Sequence, residues 1–292
     1  MKIIAIKGGL GNQMFQYAFA EALKDKYPEE DVFIDTTLFK GYQIHNGYEL
    51  KKVFDVPIKE ATKKEIKEVS RYIPNYKLSR VYRKVFGYGK TEYKEPRLFT
   101  YWQEAVDIKG NCYYEGSWQN ERYFKDVSSR IRKVFEFKQP LEARNSDILI
   151  DIETTESVSI HVRRGDYLND PTYQGICDLP YYRNAVEYIK SHVKEPFFYI
   201  FSNDADWCME HIKPLCEKCV IIDWNGGEKS WADMQLMSLC KHNIIAHSSF
   251  SWWAAWLNQN EGKIVVAPKG WYNDKGITDT PQLPDWIMLE NE

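Results

Sequence analysis

The chain has 292 residues, which suits two domains of ordinary size better than one. Its 43% hydrophobic and 28% charged residues are the ordinary balance of a globular protein. A formal net charge of −3 excludes a chain built as a whole for nucleic acid, while a local pocket of a few cations still suits a small anion.

Residues 2–6 (KIIAI) read as a short buried strand, followed by a tight turn through Gly8, Gly9 and Gly11. Met14, Phe15, Ala18, Phe19, Ala22 and Leu23 then recur at helical spacing within residues 12–26, and residues 31–35 (DVFID) read as the next strand. The opening segment is not a secretory signal by pattern: its apolar stretch is short, Lys7 interrupts it and glycines follow. No apolar run approaches the roughly 20 residues of a membrane-spanning helix. A cytoplasmic protein is the expectation.

Residues 40–110 alternate Lys or Arg with Tyr, as in KLSRVYRKVFGYGK, and read mostly as helices and loops. The basic aromatic segment 63–97 is either a solvated helix face or a surface for peripheral contact with an acidic membrane or an anionic acceptor. Residues 141–157 are polar and acidic without aromatics, and serve as the expected boundary. The expected domains are therefore 1–150 and 151–292.

In the second half, strands are expected at 157–162, 197–201, 220–223, 243–247 and 263–268, with helices at 180–193, 231–241 and 250–259. Strand and helix alternate, so an α/β fold with a parallel, doubly wound sheet is expected. Ligands of such sheets bind beyond the carboxyl ends of the strands, and the informative residues do follow the strands.

Gly9-x-Gly11 is not a dinucleotide fingerprint, because Met14 stands where Gly or Ala would be needed. Asp35 nonetheless ends the second strand, where a ribose-binding acid would sit. The glycines permit close approach of a ligand to the backbone. Asn12 and Gln13 present amides at a helix start, and Asn12 is either a cap or a ligand contact.

In Ser159-Ile160-His161-Val162-Arg163-Arg164-Gly165-Asp166, alternation puts His161 and Arg163 on one face. Two adjacent arginines at a buried strand end are costly unless an anion meets them, and the arginine fork suits phosphate. The plain alternative is ion pairing, for example of Arg164 with Asp166. Asp204-x-Asp206 has the spacing of a metal-binding acid pair. Its rival reading is a single aspartate that accepts the N–H groups of a guanine. Ser248, Ser249 and Ser251 are capping residues by type, and their hydroxyls at a helix start form a ready anion site. Trp252 and Trp253 read as core.

The segments GGLGNQMFQYA (8–18), HVRRGDY (161–167) and HSSFSWWAAWL (247–257) together resemble glycosyltransferase family 11, the α-1,2-fucosyltransferases, and FSNDADW (201–207) and WADMQLMSLCKH (231–242) fit the same pattern. The resemblance implies a GT-B fold, two Rossmann-like domains facing across a cleft. It implies GDP-fucose as donor, a glycan acceptor such as a terminal galactose, inversion at the anomeric carbon and no required metal or other cofactor. By that analogy Arg163 meets the β-phosphate and Asp204 the guanine. Ser248, Ser249 and Phe250 meet the phosphates and ribose, with His161, Gly9 and Gly11 also on the donor side. Asn12 orients the acceptor or the fucose. Asp166 and His161 are the general-base candidates by residue type. Asn203 stands where the family often has a second aspartate.

Aromatic residues reach 15%, fitting either a large core or sugar stacking. The six cysteines include one lone CxxC, Cys216–Cys219, readable as buried thiols or as half a zinc site. Three rival functions remain open: a metal-dependent glycosyltransferase with another nucleotide sugar, an NAD-dependent oxidoreductase using the Gly8–Gly11 turn, and a carbohydrate-binding module.

Overall fold

The computed structural model describes the whole chain except residues 41–44, 74, 274–278 and 292, and except the side chains of residues 76 and 166. Two compact units divide it: Met1–Lys138 with Ile277–Pro281, and Gln139–Gly276 with Gln282–Glu292.

The first unit carries β1 (Lys2–Ala5), α1 (Leu10–Lys26) and β2 (Val32–Asp35). The helices α2 (Leu50–Val53), α3 (Lys63–Val69) and α4 (Tyr76–Phe86) follow. Then come β3 (Glu92–Lys94), α5 (Gln103–Asp107), β4 (Cys112–Glu115) and α6 (Ser128–Val134). The sheet is parallel throughout, in the order β2-β1-β4-β3. β1 is buried along its length, as a parallel strand covered on both faces must be. Twelve of the 17 residues of α1 are buried too, and Phe19 stacks on Trp118 at 4.3 Å between ring centres. Sequence reading missed β3 and β4, whose three and four residues are too short to show a period.

The second unit carries α7 (Arg144–Thr154), β5 (Glu156–Val162), α8 (Leu179–His192), β6 (Pro196–Ser202), α9 (Ala205–Trp207) and β7 (Cys219–Ile222). It continues through α10 (Trp231–Leu239), β8 (His242–Ile244), α11 (Ser249–Leu257), β9 (Val265–Pro268) and β10 (Ile287–Leu289). The strands β5–β9 and the helices α8, α10 and α11 fall where the alternation placed them; α7, α9 and the edge strand β10 are additions. The strand order is β7-β6-β5-β8-β9-β10, all parallel. Counted from β5, this is the order 3-2-1-4-5-6 of a dinucleotide-binding sheet, whose winding reverses between β5 and β8. Val158, Ile160 and Val162 of β5 join Tyr181, Tyr182 and Ile189 of α8 in the core beneath.

The two units divide at 138/139, upstream of the 141–157 segment and of the 150/151 division expected from sequence. The reason is α7. Ile148 and Ile152, one turn apart, are buried. Asn145 exchanges amide hydrogen bonds with Asn225 and accepts Trp224 Nε1–H at 2.8 Å. The Arg144 guanidinium lies 3.5 Å from the Trp224 ring centre. Polar composition concealed a helix that belongs to the second unit.

Candidate active site

At the switch point of the second sheet, β5 and β8 run side by side, Ile160 against Ile244. Their carboxyl ends release Arg163-Arg164 and Ala246-His247-Ser248. The chain then winds away in opposite directions, which opens a crevice beyond the two strand ends.

The two arginines have separate employment. Arg164 donates Nε–H to Asp204 Oδ2 at 3.1 Å, its guanidinium lies 4.0 Å from the Trp207 ring centre, and its backbone N–H reaches Asn203 Oδ1 at 3.0 Å. Arg164 is thus ion-paired, with Asp204. The Asp166 side chain lies outside the described residues. Asp204 also caps α9, accepting Trp207 N–H at 3.2 Å. Gly165, at φ +42°, lets Asn203 approach: a Cβ there would sit 2.4 Å from Asn203 Nδ2. Asn203 thus stitches β6 to the turn after β5.

Arg163 is half-buried, with its guanidinium 5.3 Å from the Tyr167 ring centre. Around it stand His161, buried and 5.7 Å from the Phe250 ring, and His247, 4.9 Å from the Tyr167 ring. Burial, with Arg163 and His247 nearby, pushes His161 down to about 3, and burial pushes His247 down to about 4. Both rings are neutral at pH 7. His161 is therefore a poor proton acceptor, which weakens it as a general base. His247 Nδ1 lies 3.0 Å from Cys177 Sγ, while His247 Nε2 and His161 Nδ1 are buried without a partner among the described residues. Sequence reading left His247, Tyr167 and Tyr173 out of the site. His247 lay in a quoted motif, but only the fold puts it beside His161.

Ser248 is the N-cap of α11 and accepts Phe250 N–H at 3.3 Å. Ser249 and Phe250 form the first turn, so their N–H groups stand at the positive end of the helix. Ser251 instead bonds back to the Ala246 and Ser248 carbonyls and is buried, as are Trp252 and Trp253.

In the first unit, Gly9 is the N-cap residue of α1, with His45 Nδ1 3.4 Å from where its Cβ would be. Gly11 and Asn12 lie in the first turn, so Asn12 is not the cap. Its Oδ1 accepts Gln119 Nε2–H at 2.8 Å. Gly8, at φ +84°, faces Asn12, and a Cβ there would come within 2.7 Å of Asn12 Nδ2. Gln13, read from sequence as a ligand amide, is buried in structural work. It donates to the Gly8 and Gly47 carbonyls and accepts Glu49 N–H. Asp35 is likewise committed: it accepts Thr37 N–H, Thr37 Oγ1–H and Tyr113 OH at 2.7–2.8 Å. It is not placed as a free ribose acceptor, which removes the main support for an NAD site.

Beyond β3, Glu95 Oε2 accepts Ser117 N–H at 2.6 Å, while Oε1 is buried without a partner among the described residues. Burial raises Glu95 to about 7, against the pull of the Ser117 and Trp118 N–H groups and Lys7. The folded protein therefore keeps a proton that the unfolded chain releases from about 4.5 upward. Stability tied to this group is complete below that and is lost as pH rises through 7. Glu95→Gln, which cannot ionise, is expected to gain roughly 2–3 kcal/mol on the wild type between pH 5 and pH 8. Urea unfolding at both pH values measures this, and a pH-independent difference would refute it.

Among the described residues, no group of three or more His, Cys, Asp or Glu could hold a metal ion, and no helix is long and apolar enough to cross a membrane. All six cysteines are free.

Among solved structures, the chain is similar to a fucosyltransferase, NodZ, from Bradyrhizobium: TM-score 0.54 at 12% identity, covering 87% of this chain and 92% of that one. The NodZ α-1,6-fucosyltransferase soaked with GDP-fucose gives a TM-score of 0.50 at 13% identity over 88% and 91% of the two chains. At these identities the likeness is one of fold. The fold is thus α/β of the GT-B type, and the class it defines with this site is a glycosyltransferase. The chain belongs to Glycosyl transferase family 11, whose model matches residues 1–290. An Escherichia coli alpha-1,2-colitosyltransferase is 31% identical over 99% of this chain and 98% of its own. The Escherichia coli O-antigen biosynthesis glycosyltransferase WbnK is 32% identical over 97% and 99%. A galactoside alpha-(1,2)-fucosyltransferase 1 of Lagothrix lagotricha is 28% identical over 69% of this chain and 59% of its own.

Proposed function

We propose that the protein transfers L-fucose from GDP-fucose, with inversion, to a sugar hydroxyl of a glycan, the 2-OH of a terminal galactose. The observation that carries this reading is that Arg163 and the start of α11 follow the paired strands β5 and β8 at the switch point, with His161 of β5 5.7 Å from the Phe250 ring of α11. An arginine fork and a helix N-terminus there suit a diphosphate. The α-1,2 linkage comes from the names of the relatives.

In the proposed reaction the fucosyl C1–O bond breaks through an oxocarbenium-like transition state, and negative charge grows on the departing β-phosphate. Arg163 and the positive end of α11, at Ser248 and Ser249, stabilise that charge. Asp204 accepts from the guanine. A carboxylate has about four acceptor positions, and the contacts with Arg164 and Trp207 N–H leave room for that. Neutral His161 and His247 present polar edges without adding charge. By this reading the second unit holds the donor nucleotide; Gly9 and Gly11 remain donor-side candidates, and Asn12 a candidate to orient the acceptor or the fucose. Asp166 is the proposed base. No metal enters the scheme. Six free thiols fit a reducing cytoplasm, where nucleotide sugars are available.

A second donor is favoured by one observation, the full-length similarity to a colitosyltransferase. Thermal unfolding with GDP, ADP, UDP or NAD, each with and without EDTA, tests the nucleotide. GDP at about 100 times its Kd is expected to raise the midpoint roughly 5–10 °C, indifferent to EDTA. Stabilisation by another nucleotide, or only with metal, would overturn the reading. Turnover with GDP-fucose then separates fucose from colitose.

A further inference from the structure

We propose that α4 is an interfacial helix that lays the protein on an anionic lipid surface. The helix is fixed at both ends: Asn75 caps it by accepting Leu78 N–H, and Gly87, at φ +68°, stops it. One face docks on the first unit. Ser79 is buried there, and the Arg83 side chain pairs with Glu92 and Glu115.

The rest of the helix is unusual for a surface. Leu78, Val81, Val85 and Phe86 are 61%, 62%, 68% and 62% exposed. At 100° per residue they form a single stripe, which a solvated helix would fill with polar side chains. Lys77, Arg80 and Lys84 are exposed too and line the flank of that stripe. Between Glu68 and Glu92 the chain carries six Lys or Arg and no Asp or Glu.

An apolar stripe edged by cations alone selects its occupant. A second copy of the chain would bring the same cations to the same face, and like charges would oppose pairing. An anionic bilayer matches both features: valines, leucine and phenylalanine enter the headgroup boundary while the lysines and arginine meet lipid phosphates. Eleven residues span about 16 Å, too short to cross, so the helix lies in the plane. This reading does not rest on the reaction assigned above, and it gives the basic segment a partner that transfer chemistry alone does not.

The test is flotation of the full-length protein with vesicles of phosphatidylcholine, alone or with about one third phosphatidylglycerol. Binding is expected only to the anionic vesicles, and 1 M salt, which cuts the screening length to about 3 Å, should abolish it. Lys77→Gln, Arg80→Gln and Lys84→Gln together are expected to lower the partition coefficient on the order of 100-fold. Val81→Ser with Val85→Ser should lower it about tenfold or more at unchanged charge. Both sets of residues are exposed, so the thermal midpoint should hold and separate lost binding from lost folding. Absence of flotation, flotation that both variants retain, or a lipid-free dimer that Val81→Ser with Val85→Ser dissociates would each overturn the proposal.

Discussion

Arg163→Ala is expected to lower turnover with GDP-fucose about 10²–10³-fold, or roughly 3–4 kcal/mol in the barrier, with little change in thermal midpoint. The size follows from position. The leaving diphosphate of the proposed reaction gains its charge in the transition state, so a fixed cation aimed at it lowers the barrier. Folding should survive because Arg163 is only half-buried and its ring neighbour, Tyr167, remains. Arg163→Lys keeps the charge but loses the two-pronged fork, so an intermediate rate is expected. Steady-state kinetics on both variants decides it. Near-normal turnover in a folded Arg163→Ala would remove Arg163 from the reaction and return the donor site to question.

Arg83→Ala should produce the largest loss of stability, roughly 3–5 kcal/mol. Arg83 Nη2 lies 2.9 Å from Glu92, and Nη1 pairs with Glu115, which Lys7 Nζ also meets at 3.2 Å. Glu92 is fully buried. Burial opposes ionisation of Glu115, yet Lys7 and Arg83 outweigh it and hold the carboxyl below its ordinary range. Removing Arg83 takes the paired cation from the buried Glu92 carboxylate and leaves Glu115 to Lys7, and a buried carboxylate so deprived costs far more than the pair itself contributes. Urea unfolding at pH 7 measures the loss. Adding Glu92→Gln to Arg83→Ala should recover part of it, with a coupling of about 1 kcal/mol or more. A single-variant loss under about 1 kcal/mol would show that solvent already screens the cluster. The same substitution frees α4 from the sheet, so its vesicle binding should be read only where the fold persists.

Sequence by itself determined the parallel α/β plan of the second half, because short strands such as FFYIF alternate there with helical segments. It also determined the Gly8–Gly11 turn, the positions of Arg163 and Ser248 at strand ends, and the family. Each of these is a local pattern, a period or a run of residue types along a few positions. Tertiary structure alone decided the rest. It set α7 in the second unit through Asn145 and Arg144, and turned Gln13 and Asp35 from ligand contacts into buried staples. It gave Arg164 to Asp204, brought His247 beside His161, and left one stripe of α4 bare. These depend on which groups meet across 30 to 90 residues of chain, and a buried amide or carboxylate takes its role from the partner that meets it rather than from its neighbours in sequence.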